Sequence, residues 1–345
     1  MSNKIKLLTA AVTAALGMGF AGQAAATVYA SSSLEITNLN IAFLDANNTP
    51  ALTGVTVNSF TFTLTNTASL NGVPSISLAS CSGSPSSNTC GSTSPILDAA
   101  AVNASGSSVI RTNNQTSGDG TFTHFALDSG NWSNSDSVIY TSELTNGSPT
   151  RTDQIAQTNI TTATQGSANA QIQSVTGVTL SFTVSDPGPY SFSLAFAADN
   201  DMIAQILNDD GKTFSAQADT QLSVTLNQNT GGNAFVRWAP KGTTGNDCIS
   251  VGLTCSEVND SEDLNLNVGT TVNNTMTTYS YGPNAEGSVP FGILVTGLGQ
   301  GTYTLTLSAL TSVAANRVPE PATLALLGAG LAGLGFAGRR QRKQA

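Results

Sequence analysis

The sequence predicts an all-β fold: an antiparallel β-sandwich, either one large unit or two smaller ones, with long loops rich in Ser, Thr, Asn and Gly. Only 10% of the residues are charged, whereas soluble domains carry about a quarter. Hydrophobic and polar residues alternate with a period of two in several segments, which is typical of strands with one buried face. No long helical pattern supplies the crossovers that parallel strands need. An N-terminal signal helix and one C-terminal transmembrane helix are expected outside the sandwich.

The clearest alternation lies in two neighbouring segments. Hydrophobic residues occupy every second position in 178–184 and again in 190–196. Between these segments, Asp186, Pro187 and Gly188 have the composition of a turn. The two segments are therefore predicted to pair as a β-hairpin.

The remaining strands have weaker patterns. A change of alternation near Asn58, inside the predicted strand 55–64, indicates a β-bulge. Further strands are predicted at 33–44, 121–127, 137–144, 202–207, 220–226, 234–238, 264–268, 276–281, 289–296 and 303–307. Of these, 202–207 fits a short helical turn equally well. The Ser- and Asn-rich segment 66–118 is expected to be a long loop, and 145–170 contains a candidate domain boundary.

Residues 1–26 have the three parts of a secretory signal peptide. Two lysines precede an apolar run, and small residues follow it. Signal peptidase is expected to recognise Ala24 and Ala26 and to cut before Thr27. The apolar run is shorter than the roughly 20 residues that a spanning helix needs, which disfavours a retained anchor. The predicted exported region is therefore 27–317.

The C-terminal segment, 318–345, also has three parts in a fixed order. They are the motif Val318, Pro319, Glu320 and Pro321; the predicted transmembrane helix 322–338, which has no charge; and the basic tail 339–345 with Arg339, Arg340, Arg342 and Lys343. As a helix, the apolar run reaches roughly 25 Å. Basic residues after it place the tail in the cytoplasm by the positive-inside rule.

This C-terminal segment resembles the sorting tail of the PEP-CTERM family. The resemblance implies a Gram-negative cell envelope, recognition by an exosortase, cleavage near 319–321, and release or attachment at the cell surface or in the extracellular matrix. Until cleavage, the C-terminal helix is expected to anchor the protein in the membrane. The resemblance further implies a link to exopolysaccharide and biofilm. The expected partners are signal peptidase, the exosortase, the membrane and exopolysaccharide.

Charge and histidine content exclude several functions. The formal net charge is −9, and nucleic-acid binding is excluded because it requires a basic surface. The chain contains one histidine, His124, so a site with several histidine ligands is excluded. Most catalysis by a Ser–His or Cys–His pair would depend on that residue.

The four cysteines are expected to form disulfides, because export leads to an oxidising compartment. Four cysteines allow three connectivities. Local pairing of Cys81 with Cys90 and of Cys248 with Cys255 is preferred, since both pairs enclose loops that contain glycine. Neither spacing is typical of a zinc site.

No cofactor is expected, with Ca²⁺ as the one candidate. Acidic residues bracket a short segment and offer the hard oxygen ligands that Ca²⁺ prefers. The candidate ligands are Asp199, Asp201, Asp209 and Asp210. Asp260, Glu262 and Asp263 form a second acidic loop. Acidic residues at strand ends are also common turn formers, so this pattern leaves both interpretations open.

Aromatic side chains offer a second binding hypothesis, because exposed rings stack on sugars. The candidates are Trp132, Trp238, Tyr140, Tyr190 and Tyr281. Packing in the core explains the same residues equally well.

The sequence therefore favours a non-enzymatic, secreted or surface-attached structural or matrix protein. The alternative is an adhesion module that binds carbohydrate or Ca²⁺. A hydrolase that depends on His124 and one carboxylate is the third hypothesis. Asp128, Ser129 and Gly130 match the short signature of an aspartic protease, but that chemistry needs two carboxylates that share a proton, and no second matching site is found.

Overall fold

The described residues form two antiparallel sheets, which confirms the predicted fold class. The computed structural model describes residues 26–51, 53–84, 87–88, 96–103, 131–140, 150–162, 168–207, 213–242, 247–271, 275–279 and 287–318. In this part of the chain, no helix is long and apolar enough to cross a membrane. The predicted span 322–338 lies outside it.

Seventeen strands lie within the described ranges. In chain order they are β1 Ala26–Leu44, β2 Val55–Leu70, β3 Val73–Ser84, β4 Ser87–Asn88, β5 Ile96–Asn103, β6 Trp132–Tyr140, β7 Thr150–Thr162, β8 Ala168–Val184, β9 Tyr190–Leu207, β10 Thr213–Gln228, β11 Phe235–Trp238, β12 Cys248–Val251, β13 Thr254–Asp260, β14 Asn267–Thr270, β15 Thr275–Tyr279, β16 Val289–Leu298 and β17 Gly301–Val318.

The first sheet has the order β13-β16-β9-β1-β7-β6-β5, and β15 also pairs with β9. The second sheet has the order β12-β11-β10-β17-β8-β2-β3-β4, and β14 also pairs with β10. Each sheet therefore takes strands from both halves of the chain. Within the predicted boundary 145–170, β7 lies between β1 and β6.

The two sheets bury two hydrophobic clusters between them. The larger cluster includes Phe182, Phe192 and Trp238, and the smaller includes Phe214 and Val313. The clusters lie on either side of a row of polar residues, here named the polar belt. Its members are Asn66, Thr176, Thr220 and Thr311 of the second sheet with Ser137, Gln154 and Asn200 of the first.

Hydrogen bonds of the polar belt connect the two sheets. Asn66 Nδ2 donates to Ser137 Oγ (2.7 Å), and Thr220 Oγ1 donates to Asn200 Oδ1 (2.7 Å). Buried polar groups are costly unless they are paired. The belt therefore favours one alignment of the two sheets over sliding alternatives.

The predicted hairpin is wrong, although both of its strands exist. β8 pairs with β2 and β17 in the second sheet, whereas β9 pairs with β1, β15 and β16 in the first. The turn at 186–188 therefore carries the chain from one sheet to the other. A hairpin within one sheet and a connection between two sheets have the same alternation in sequence. In both cases the two strands turn their hydrophobic residues toward the same core.

Other predictions about strands had mixed outcomes. The bulge near Asn58 is confirmed by a register shift between Val57 and Ser59. Residues 202–207 continue β9 as a strand rather than a helical turn. The expected loop at 66–118 is wrong in part, since β2 continues to Leu70 and β3 and β5 lie within it.

Candidate functional site

The last strand of the sandwich leads directly into the predicted sorting segment. β17 ends at Val318 and lies between β8 and β10 in the second sheet. On the β8 side its partners run from Val184, opposite Gly301, to Ala168, opposite Arg317. β10 pairs along nearly the same length on the other side. A force on the C-terminus therefore acts on a strand that is hydrogen-bonded along both edges.

Many predicted site residues lie outside the described ranges. They are Ala24, Cys90, His124, Asp128, Asp209, Asp210, Tyr281, Pro319, Glu320, Pro321, Arg339, Arg340, Arg342 and Lys343. Thr27 is described and lies near the start of β1, opposite Thr161 of β7. A chain cut before Thr27 would lose only Ala26 from β1.

The predicted disulfide between Cys248 and Cys255 is confirmed, with Cα atoms 6.2 Å apart. Cys248 lies in β12, at one edge of the second sheet, and Cys255 lies in β13, at one edge of the first. This disulfide therefore joins the two sheets. Cys81 is also disulfide-bonded, and its predicted partner Cys90 lies outside the described residues.

Next to this disulfide, ligand oxygens of Asp247, Glu257 and Asp260 lie within 4.8 Å of one another. The backbone amides of Lys241 and Gly242 donate to Asp260, at 3.2 and 3.1 Å. Sequence reasoning included Asp260 in an acidic loop but missed the other two carboxylates. The disulfide was the available signal, because Asp247 precedes one cysteine and Glu257 follows the other.

The outward side of the second sheet carries a regular array of hydroxyl groups. Thr61, Thr179, Thr306 and Thr225 are register partners on four adjacent strands. Together with their neighbours they are named the hydroxyl face, which consists of Thr61, Thr63, Thr179, Ser181, Ser223, Thr225, Thr304, Thr306 and Ser308. Adjacent strands are about 4.8 Å apart, so the hydroxyl groups form a closely spaced, uncharged surface.

The outward side of the first sheet is chemically different. It carries five carboxylates, named the acidic face: Glu35 on β1, Asp136 on β6, Asp153 on β7, and Asp199 and Asp201 on β9. Asp153 lies opposite Glu35, and Glu35 lies opposite Asp199, in one continuous row. Asp136 and Asp153 are buried. Burial makes unpaired charge expensive, so this face requires compensation.

Arg151 on β7 supplies part of that compensation. Its Nε lies 3.0 Å from both carboxylate oxygens of Asp153, and its Nη2 lies 3.1 Å from Glu35 Oε1. Its guanidinium also lies 5.9 Å from the ring centre of Tyr140. One arginine therefore holds two of the five carboxylates.

Asp199 and Asp201, two of the predicted Ca²⁺ ligands, lie in β9 rather than in a loop. Between them, Asn200 points inward and accepts a hydrogen bond in the polar belt. Burial raises the pKa of Asp199 to about 7, and the nearby charges of Asp201, Glu35 and Glu262 act in the same direction. The chain thus brings acidic groups together here, and Ca²⁺ binding by this pair stays a prediction.

Three of the aromatic residues proposed for sugar stacking are buried: Trp132, Trp238 and Tyr190. Trp238 packs against Phe196 in the larger cluster, with ring centres 5.9 Å apart. This outcome corrects the expectation for these three residues, since stacking on a sugar requires an exposed ring face. Trp238 and Tyr190 pack in the larger cluster, whereas Trp132 packs with Tyr29 and Ile203 on the outward side of the first sheet.

Comparison with known families gives the decisive observation about the C-terminus. Residues 317–343 match the family model of the PEP-CTERM protein-sorting motif. The chain carries a PEP-CTERM sorting motif. The matched range begins at the penultimate residue of β17, so the folded sandwich and the motif adjoin. Comparisons with curated proteins and with solved structures found no match.

The PEP-CTERM motif indicates an exported protein that an exosortase sorts to the outside of the cell. It also implies that the exosortase processes the chain. The motif covers only the C-terminal end, so the role of the sandwich has to be argued from the sandwich itself.

Proposed function

We propose that this chain is a non-enzymatic structural protein of the cell surface or extracellular matrix, linked there to exopolysaccharide. The observation that carries this proposal is the junction at Val318, where a central strand of the sandwich runs into the PEP-CTERM motif. Cleavage after this strand would release or attach a complete sandwich. A structural protein bears load through such an attachment, and β17 is paired along both edges.

The hydroxyl face supports the proposed contact with polysaccharide. Threonine and serine hydroxyls both donate and accept hydrogen bonds, as the hydroxyls of a neutral glycan do. The array spans four adjacent strands without a charged side chain, and Arg237 on β11 borders it opposite Thr225. A neutral chain could therefore lie across the four strands without displacing counterions.

Intact-mass spectrometry of the native protein tests the sorting part of the proposal. The expected mature chain begins near Thr27 and ends within 319–321. In a strain that lacks the exosortase, the chain should keep its basic tail, 339–345. Recovery of the full-length chain from the cytosol, with both termini intact, would contradict the proposal.

The second candidate is an adhesion module that binds carbohydrate or Ca²⁺, and the hydroxyl and acidic faces favour it. Capture of the purified protein on the host's own exopolysaccharide separates this candidate from a passive matrix component. Specific capture that a Thr306→Lys substitution abolishes would support binding through the hydroxyl face. Equal capture of both proteins would count against that face.

A further inference from the structure

Two buried amide side chains lie side by side on the outward side of the first sheet. Asn134 on β6 and Gln157 on β7 are register partners, and their relative exposures are 2% and 0%. Side chains of directly opposed residues lie on the same side of a sheet, with Cβ atoms about 5 Å apart. The two amides therefore occupy one small buried region.

Within the described part of the chain, each of the two amides has an oxygen without a hydrogen-bond partner. Asn134 Oδ1 and Gln157 Oε1 are shielded from solvent and accept no hydrogen bond from any described residue. Gln157 uses its Nε2 to donate to the Tyr29 hydroxyl, at 3.4 Å. An unsatisfied buried acceptor lowers stability, so two adjacent ones call for a positively charged or hydrogen-bond-donating partner.

A carboxylate lies next to this pair. Asp136 is two residues after Asn134, on the same side of β6, and is 3% exposed. It lies opposite Ile155, which makes it a diagonal neighbour of Gln157 across the two strands. Diagonal neighbours are within reach of long side chains. The two amides and the carboxylate therefore occupy neighbouring positions on one buried side of β6 and β7.

We propose that Asn134, Gln157 and Asp136 bind a Ca²⁺ ion on the acidic face. Ca²⁺ takes six to eight oxygen ligands from carboxylates, amide carbonyls and water in a flexible geometry. The three side chains supply only oxygens, which disfavours the transition metals that prefer nitrogen or sulfur. This site differs from the predicted pair Asp199 and Asp201 on β9, which lies two strands from β7 and three from β6. It does not depend on the sorting proposal.

Terbium luminescence offers a direct test. Tb³⁺ substitutes for Ca²⁺ and emits when a nearby tryptophan is excited, and Trp132 lies two residues before Asn134 on the same side of β6. The purified exported region should show sensitised emission that added Ca²⁺ displaces. Trp132→Phe should lose the emission while equilibrium dialysis still finds Ca²⁺ bound.

Substitutions of similar size then assign the ligands. Gln157→Met should weaken Ca²⁺ binding by roughly tenfold or more. Gln154→Met is the matched control, because Gln154 lies on the same strand but faces the second sheet, and it should bind as the unmodified protein does. Asp260→Asn, in the other carboxylate group, should also leave this binding unchanged.

A second variant keeps the proposal testable if Gln157→Met does not fold. Asn134→Asp adds a carboxylate at the site, so it should bind Ca²⁺ more tightly than the unmodified protein. The proposal is overturned if the protein takes up no Ca²⁺, if Gln157→Met and Asn134→Asp both bind as the unmodified protein does, or if Asp260→Asn alone abolishes uptake.

Discussion

The second sheet turns hydroxyl groups outward, whereas the first sheet turns carboxylates and amides outward and buries most of them. On the second sheet, Thr179, Thr225 and Thr306 are half-buried and uncharged. On the first, β6 is buried from Trp132 to Ile139, on both of its sides. The comparison shows that one sandwich contains strands under two different constraints: some separate a core from water, and others are buried on both sides yet carry polar residues.

This difference also shows why the two faces respond differently to substitution. An exposed hydroxyl exchanges one hydrogen-bond partner for water at little cost. A buried carboxylate has no such alternative, because an uncompensated charge in the interior is expensive. Stability should therefore depend strongly on the first sheet's outward side and weakly on the second's.

The largest expected effect on stability is the difference between substitutions at two arginines. Arg151 lies on the outward side of the first sheet, and Arg237 lies on the outward side of the second. Arg151→Met removes an ion-pair partner of the buried Asp153 and should lower the free energy of unfolding by about 3 kcal/mol. Arg237→Met, on the exposed side of β11, should change it by less than about 0.5 kcal/mol. Urea denaturation of both variants measures the difference. Equal effects would show that the acidic face is not held by its ion pairs.

Removing the disulfide that joins the two sheets should have the next largest effect. In the double variant Cys248→Ser/Cys255→Ser, the free energy of unfolding should fall by about 2–3 kcal/mol, because the disulfide no longer restricts the short loop in the unfolded chain. Thermal unfolding under oxidising conditions measures this loss. A double variant as stable as the unmodified protein would mean that packing alone joins the two sheets at β12 and β13.

The effect of pH on stability through Asp199 of the acidic face should be smaller than the effect of removing the disulfide, and its sign follows from the raised pKa. Because burial raises the pKa of Asp199 to about 7, the folded protein keeps a proton that the unfolded chain releases near pH 4. This group therefore favours folding at acidic pH, and its contribution disappears as the pH rises through about 7. Asp199→Asn should be more stable than the unmodified protein at pH 8, and the difference should shrink toward pH 4.

Melting temperatures of both proteins across this pH range measure the effect. The Asp199→Asn variant and the unmodified protein share the same charged groups around this position, which are Glu35, Arg151, Asp153, Asp201 and Glu262. A difference between variant and unmodified protein that does not change with pH would contradict the raised pKa.

The same contrast explains how much of the fold the sequence predicts. In strands such as β2, β8 and β17, one side contacts solvent and the other packs in the core, so hydrophobic and polar residues alternate. The sequence therefore predicts these strands. β7 is buried on both sides with Asp, Gln, Asn and Thr, so its polar composition predicts a domain boundary within 145–170 rather than a strand. Hydrophobic and polar residues alternate only in a strand that has one side in contact with solvent. The pattern therefore does not reveal a strand whose two sides are both buried by the rest of the protein.

Pairing was harder to predict than strand position. β8 and β9 adjoin in sequence but lie in different sheets, and the bonds that align the sheets come from the polar belt. At the candidate sites, the sequence predicts the disulfide between Cys248 and Cys255 and the PEP-CTERM motif, because each lies within a short stretch of the chain. It does not predict the pair of Asn134 and Gln157, since the two residues become neighbours only through the register of β6 with β7.

The smallest effect on stability, and the sharpest test of the hydroxyl face, comes from Thr306→Lys. Thr306 lies between Thr179 and Thr225, and a lysine there can extend into water, so the free energy of unfolding should change by less than about 0.5 kcal/mol. Capture on exopolysaccharide should nevertheless fall, because the ammonium group interrupts the uncharged array. Thr278→Lys, on the exposed strand β15 of the first sheet, adds the same charge and should leave capture unchanged. If both variants lose capture equally, net charge rather than the hydroxyl face controls the interaction, and the contrast between the two outward sides would then concern stability alone.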